Sequence, residues 1–184
     1  KNTFDVCGFG VGKITDKLPK LDTMKAGDKL VGLPSSGFHS NGYTLIRQHV
    51  EVNDAKDFIY SLLEPTIIYN SEIIALKKEG IEIKGLAHIT GDGYNNVNRV
   101  LPEHLYANIR LNATNETKFF RHEKLFQWIQ KEAKLTKKEM MAIFNCGIGM
   151  VVIVPDDINW PQWQKHNLSH VLKDHLILGE LEEK

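Results

Sequence analysis

The sequence predicts a layered α/β domain in which helices cover a mixed β-sheet. Short runs rich in β-branched and aromatic residues alternate along the chain with segments whose apolar residues recur at helical spacing. The crossovers between the strand-like runs are irregular, which favours a mixed sheet over a regular doubly wound one. With 42% hydrophobic and 25% charged residues, the 184-residue chain has the composition of a globular protein, and we expect residues 1–184 to form one domain.

Six segments are predicted to be strands, because they are short, rich in β-branched or aromatic residues and bounded by Gly, Asp or Pro. They are residues 4–14, 29–33, 85–90, 106–111, 148–154 and 176–181. The clearest is 148–154, which ends at Pro155 and is far too short to span a membrane.

Other segments carry apolar residues at helical spacing, and some also have capping signals. The predicted helices are one that starts after Asn41-Gly42, then 66–78, 95–101, 123–132, 136–144 and 161–172. Thr136 and Glu139 form a capping box at the start of the fifth. In the second, Ile67, Ile68, Ile73, Ile74 and Leu76 are expected to face the core.

The charge balance and the cysteines limit the classes of partner. Lys plus Arg (23) equals Asp plus Glu (23), so no overall field attracts nucleic acid or an anionic membrane. Cys7 and Cys146 lie far apart without a Cys-x-x-Cys motif, which favours free thiols in a reducing cytoplasm. His166 and His170 stand four apart, but without a neighbouring Glu or Cys they predict no metal site.

The segment 34–43 runs from a strand end through a loop of small hydroxylic residues and glycines into a helix. Such a loop collects backbone N–H groups at the positive end of a helix, which suits a phosphate or carboxylate. His39 adds an ionisable donor. An ordinary capped loop, in which Ser40 and Asn41 satisfy backbone donors, is equally compatible with the spacing.

Two further segments have similar features. Residues 87–96 again lead from a strand through a glycine-bearing loop into a helix, at the end of a strand where α/β folds bind ligands. His88 is either a functional residue or a satisfied core histidine. Residues 144–150 lead into a strand, and their glycines are also typical of a bulge or turn.

Four ordered motifs extend these observations: LPSSGFHSNGYTLIR at 33–47, LEPTIIY at 63–69, GLAHITGDG at 85–93 with NRVLP at 98–102, and FNCGIGM at 144–150. In order and spacing they resemble the C-terminal half of the aminoimidazole ribonucleotide synthetase family, the phosphoribosylformylglycinamidine cyclo-ligases. The resemblance covers essentially the whole chain, and four ordered motifs are far more specific than any single glycine loop.

The resemblance implies an ATP-dependent ring closure in purine synthesis, in which formylglycinamidine ribonucleotide and ATP give aminoimidazole ribonucleotide, ADP and phosphate. It also implies that the chain is the C-terminal domain of a two-domain, homodimeric protein. ATP and Mg²⁺ would bind mostly through an N-terminal domain whose motifs are absent from this sequence. The alternatives are a sibling ATP-dependent phosphoryl-transfer enzyme of the same superfamily, or a non-catalytic folded fragment or interaction module.

The resemblance further implies that the loops 35–41 and 88–93 line a cleft facing the N-terminal domain. His39 and His88 are the predicted catalytic residues. The predicted substrate- or phosphate-binding residues are Ser35, Ser36, Gly37, Asn41, Thr90, Gly91, Gly93 and Asn145. Asp92 stands where the family has glycine, and since it brings negative charge, no phosphate contact is assigned to it.

Overall fold

The structure is a computed structural model that describes residues 7–50, 55–110, 122–158 and 175–184. Its centre is a five-stranded sheet with the strand order β2-β4-β1-β5-β3. The strands are β1 (Lys29–Pro34), β2 (Gly85–His88), β3 (Leu105–Ile109), β4 (Ile148–Val154) and β5 (Leu176–Glu183). Every pairing between these strands is antiparallel, so the predicted mixed sheet is wrong.

The error has a topological origin. β1 and β2 are both antiparallel to β4, and β1 and β3 are both antiparallel to β5, so β1, β2 and β3 run in one direction. The helical crossovers therefore do join parallel strands, but these strands are not neighbours. β4 and β5, which come last in the chain, occupy the positions between them and run the opposite way.

Six α-helices and one short 3₁₀-helix (Leu21–Thr23) accompany the sheet in the described part of the chain. They are α1 (Tyr43–His49), α2 (Ala55–Leu62), α3 (Asn70–Lys78), α4 (Asn95–Asn98), α5 (Glu123–Glu132) and α6 (Lys137–Ile143). The sequence did not predict α2, whose neighbouring residues are rich in charge. The predicted helix 161–172 lies outside the described residues.

The helix predicted over 66–78 begins only at Asn70. Residues 63–69 are instead an irregular segment that contacts the loop after β1, since Ser36 Oγ donates to the Pro65 carbonyl at 2.6 Å. Ile68 is 84% exposed, because the segment that carries it is not helical, and Ile74 on α3 is 43% exposed. The expectation that these two side chains face the core is therefore wrong.

The sheet is buried on both faces. One apolar cluster includes Leu30, Phe38, Val151 and Ile153, and the other includes Val31, Leu33, Val152 and Val154. Because alternate residues of a strand point to opposite faces, a strand covered on both sides is apolar throughout. This is why 148–154 could be predicted with nearly its observed bounds.

The predicted strand 4–14 has no counterpart in residues 7–14, and residues 4–6 lie outside the described part. Phe9, Val11 and Ile14 are almost fully exposed. An alternating apolar pattern forms a strand only where a neighbouring strand and a buried face are available, and the described residues supply neither for this segment. None of the helices in the described ranges combines the length and hydrophobicity needed to cross a bilayer.

Candidate functional site

Three loops meet at one edge of the sheet, because β1 and β2 end there and β4, running oppositely between them, begins there. The pairings that bring them together are Pro34 with Ile148 and His88 with Met150. We call residues 35–42 loop A, residues 89–94 loop B and residues 144–147 loop C. The sheet topology thus places the three motif loops of the sequence analysis side by side.

His39, in loop A, is buried and has a left-handed backbone with φ of 56°. The backbone N–H of Ser36 donates to its Nε2 at 3.2 Å, which closes the turn between them. Burial, followed by the charges of His88 and His122, lowers the pKa of His39 to about 4 from its ordinary value of 6.5. The ring is therefore neutral near pH 7.

His88, the last residue of β2, is exposed at the mouth of the site. Its ring centroid lies 6.1 Å from that of His39. Partial desolvation lowers the pKa of His88 as well, so it too is neutral near pH 7. The site thus has an exposed neutral imidazole, which solvent can reach, beside a buried one.

Tyr69 and Gly149 belong to the same cluster, although the sequence analysis did not single them out. The ring of Tyr69 lies 6.3 Å from both His39 and His88. Gly149, on β4, lies against Tyr69 and His39, where a Cβ atom would clash with both. Both residues belong to quoted motifs, LEPTIIY and FNCGIGM, and this was the only signal that could have indicated them.

Ser35 and Asn145 hold loop A against loop C from inside, and both are buried. The Oδ1 atom of Asn145 accepts from Ser35 Oγ at 3.1 Å and from the Gly147 N–H at 2.8 Å, and its Nδ2 donates to the Gly37 carbonyl at 2.8 Å. The Ser35 hydroxyl also lies 2.9 Å from that carbonyl. These polar groups already have protein partners, so the structure gives them a scaffolding position.

Asn41, Thr90 and Gly91 form the outer rim where loops A and B approach each other. The Asn41 Oδ1 atom lies 3.7 Å from the position that a Cβ atom on Gly91 would have, so the two loops lie close together. Thr90 Oγ1 is 3.4 Å from Asn96 Oδ1. The side chains of Asn41 and Thr90 are partly exposed, which leaves them accessible to a ligand.

Gly37 and Gly93 have backbones that favour glycine, with φ of 148° and 53°. A Cβ on Gly93 would lie 1.9 Å from the Met141 carbonyl, and the next residue, Tyr94, donates its N–H to that same carbonyl at 2.9 Å. Loop B therefore lies directly on α6. Its position depends on the closeness that only glycine allows.

Each of the three loops also carries a non-glycine residue with positive φ: His39 in loop A, Asp92 (84°) in loop B and Cys146 (47°) in loop C. Such conformations cost free energy and are concentrated at functional sites. The Asp92 carboxylate forms an ion pair with Arg99 at 2.9 Å. The negative charge of Asp92 is therefore balanced by Arg99 within the protein.

The capped-loop alternative for loop A differs from the structure. The N-cap of α1 is Gly42, with φ of 75°, and no side chain caps the helix. Ser40 Oγ instead lies 3.1 Å from Thr66 Oγ1. In the described ranges, no group of three or more His, Cys, Asp or Glu residues could hold a metal ion.

The antiparallel sheet, covered on both faces and with three loops at one edge, agrees with a family assignment. The AIR synthase related protein family, C-terminal domain, matches residues 25–160, and the chain belongs to this family. It is 41% identical over 167 positions to the phosphoribosylformylglycinamidine cyclo-ligase of Lawsonia intracellularis, covering 84% of this chain and 46% of that protein.

Two other relatives carry the same name. The protein from Nitrosospira multiformis is 41% identical over 161 positions, covering 82% of this chain and 44% of the relative. The protein from Staphylococcus aureus strain MRSA252 is 36% identical over 197 positions, covering 97% and 55%. The chain thus spans about half the length of the curated relatives it matches.

Proposed function

We propose that this chain is the C-terminal part of a phosphoribosylformylglycinamidine cyclo-ligase, a cytoplasmic enzyme of purine synthesis that is homodimeric at full length. The enzyme closes formylglycinamidine ribonucleotide to aminoimidazole ribonucleotide with consumption of ATP. The observation that carries the proposal is the convergence of loops A, B and C at one sheet edge, in a chain whose relatives bear this name.

The chemistry requires a poor leaving group to be activated. The terminal phosphoryl group of ATP is transferred to the amide oxygen of the substrate, the ring-closing nitrogen attacks the amide carbon, and the carbon–oxygen bond breaks to release phosphate. Protons must leave the attacking nitrogen during this sequence. An accessible neutral imidazole is suited to accept one, and His88 has that position.

The predicted binding residues then act in two ways. Asn41, Thr90 and Gly91, on the accessible rim, contact the substrate or its phosphate. Ser35 and Asn145 hold loop A from within. Ser36, Gly37 and Gly93 give the loops the shapes that bring their backbones close to the substrate.

We assign no ligand of Mg²⁺ to the described part of this chain, because it contains no cluster of carboxylates, histidines or cysteines that fits a metal ion. ATP and Mg²⁺ are held mostly by the half of the enzyme that the relatives have in addition. This chain contributes the sheet edge that faces them.

The proposal is tested with a chimera in which this chain replaces the matching C-terminal region of the Lawsonia intracellularis relative. We expect the chimera to form aminoimidazole ribonucleotide and ADP in equal amounts. In the chimera, His88→Ala and His39→Ala should each lower the turnover number by a large factor while the melting temperature changes little. A folded chimera that forms no product, assayed beside an active parent enzyme, would contradict the proposed function.

A further inference from the structure

Gly149 lies in the cluster of His39, Tyr69 and His88, at a position with no room for a side chain. We call this narrow space the Gly149 slot. A Cβ atom on Gly149 would lie 2.1 Å from Tyr69 Oη and 2.4 Å from His39 Cε1. The backbone of Gly149 lies in the middle of β4, and its carbonyl accepts the Ile89 N–H at 2.9 Å. The need for glycine therefore comes from the two rings packed against this strand position.

The hydroxyl group of Tyr69 is held by a hydrogen bond to the sheet. Its buried hydroxyl donates to the Pro34 carbonyl at 2.7 Å. Pro34 is the last residue of β1, at the point where the register between β1 and β4 shifts. The hydroxyl of Tyr69 thus ties the start of loop A to the slot in which the His39 ring lies.

The hydrogen bond to the His39 ring also determines which of its two nitrogens carries the hydrogen. Because the Ser36 N–H donates to Nε2, that nitrogen is the acceptor, and the single hydrogen of the neutral ring is on Nδ1. Among the described residues, this Nδ1 is the one buried side-chain nitrogen or oxygen without a hydrogen-bond partner. Buried donors without a partner are rare in native proteins, and each has a reason.

We propose that Tyr69 is a positioning residue that, together with the Gly149 slot, holds His39 as the Nδ1–H tautomer. His39 then acts as a neutral hydrogen-bond donor, and His88 is left as the proton acceptor. This inference rests on the proposed function for its role in the reaction. A neutral donor suits an oxygen that gains negative charge, such as the amide or phosphoryl oxygen of the activated substrate.

The charges around the ring agree with this division of roles. His88 and His122 both disfavour a positive charge on His39, and burial disfavours it most. Burial and the nearby Glu72 keep Tyr69 protonated by raising the pKa of its hydroxyl far above the ordinary value. Tyr69 therefore remains a hydrogen-bond donor to Pro34 at neutral pH.

The test uses the 184-residue chain with ¹⁵N-labelled histidine, because nitrogen chemical shifts distinguish the two tautomers. We expect His39 to carry its hydrogen on Nδ1 between pH 6 and 8. In Tyr69→Phe, the loss of the hydrogen bond to Pro34 should free the start of loop A and give a mixture of the two His39 tautomers. Tyr60→Phe removes an exposed hydroxyl and is the matched control.

The outcomes separate the two proposals. A hydrogen on Nε2 of His39 in the unaltered chain would overturn the inference without any variant. So would a Tyr69→Phe protein that melts at a lower temperature while the His39 tautomer stays unchanged, because Tyr69 would then be only structural. If the tautomer is as expected but the chimera is inactive, the proposed function fails and the positioning of His39 stands.

Discussion

Gly149 and Gly91 both belong to the candidate site, but their surroundings differ. Neither has a backbone with positive φ, so glycine is required at either position only if space is short. A Cβ at Gly149 would meet Tyr69 and His39 well inside van der Waals contact, whereas the nearest atom to a Cβ at Gly91 is 3.7 Å away. Comparing alanine substitutions at the two positions therefore separates the cost of a steric clash from the other effects of replacing a glycine.

We predict that Gly149→Ala lowers the free energy of unfolding by about 1–3 kcal/mol, because two buried rings must move. Gly91→Ala should change it by less than about 0.5 kcal/mol. Urea unfolding of the two variants measures both values. Equal stabilities would mean that the rings move aside at little cost and that the slot does not hold them.

The second residue-scale prediction concerns pH. The pKa of His39 is about 4 in the folded chain and 6.5 ordinarily, so between these values the unfolded state binds a proton that the folded state does not. The free energy of unfolding should therefore fall as the pH falls from 6.5 to 4, by on the order of 2 kcal/mol from His39. His88, whose pKa is also lowered, adds in the same direction.

Urea unfolding across this pH range measures the effect. His39→Gln should flatten the dependence, whereas His104→Gln, at an exposed histidine outside the site, should retain it. If His39→Gln keeps the full slope, the pH dependence comes from other groups.

At the scale of single residues, the motifs beside glycines predicted that His39 and His88 lie in loops or at strand ends, and the structure has them there. Their catalytic roles stay a prediction. Tyr69 and Gly149 could not be assigned a place, because their relation depends on β4 meeting the end of β1. That contact joins residues 69 and 149, and no local pattern in the sequence encodes it.

Among the elements, α6 has a particular role because loop B lies on it. The capping box was predicted correctly: Thr136 Oγ1 accepts the Glu139 N–H at 3.3 Å, and Glu139 Oε2 accepts the Thr136 N–H at 2.8 Å. Such a motif is local in sequence, so it can be recognised before the fold is known. The partner of α6, in contrast, becomes apparent only from the structure.

We predict that Thr136→Ala lowers the free energy of unfolding by about 1 kcal/mol, because the first turn of α6 loses its cap. Amide hydrogen exchange should also speed up at Tyr94, whose N–H is bonded to the Met141 carbonyl. Lys138→Ala, at an exposed position of the same helix, is the control. Faster exchange confined to residues 137–143 would show that loop B is held independently of α6.

The difference between local and long-range information also explains which strands were predicted correctly. The run 148–154 was predicted with nearly its observed bounds because burial on both faces makes its composition continuous. The strand predicted for 4–14 was wrong over residues 7–14. An alternating pattern indicates which side chains a strand would bury, but not whether a neighbouring strand is available to pair with it. The sheet direction was wrong for a similar reason, since pairing is decided between distant segments.

At the scale of the whole molecule, we predict that the isolated chain has no ring-closing activity and binds Mg-ATP weakly or not at all. The chain spans about half the length of its relatives, and its described part offers no metal ligand cluster. Calorimetric titration with Mg-ATP measures the binding, with the full-length Lawsonia intracellularis relative as the control. Micromolar affinity for this chain alone would show that the nucleotide site is misplaced.

The interleaved strand order has a consequence for how the chain is made. Every ladder of the described sheet contains either β4 or β5, so a nascent chain that has left the ribosome only as far as residue 147 holds three strands and no partner for any of them. Lys29 has no partner on its β4 side until Val154 has been synthesised, and the opening between loops A, B and C cannot form before β4 is available. Assembly of the site thus depends on long-range pairing and is expected to be slow.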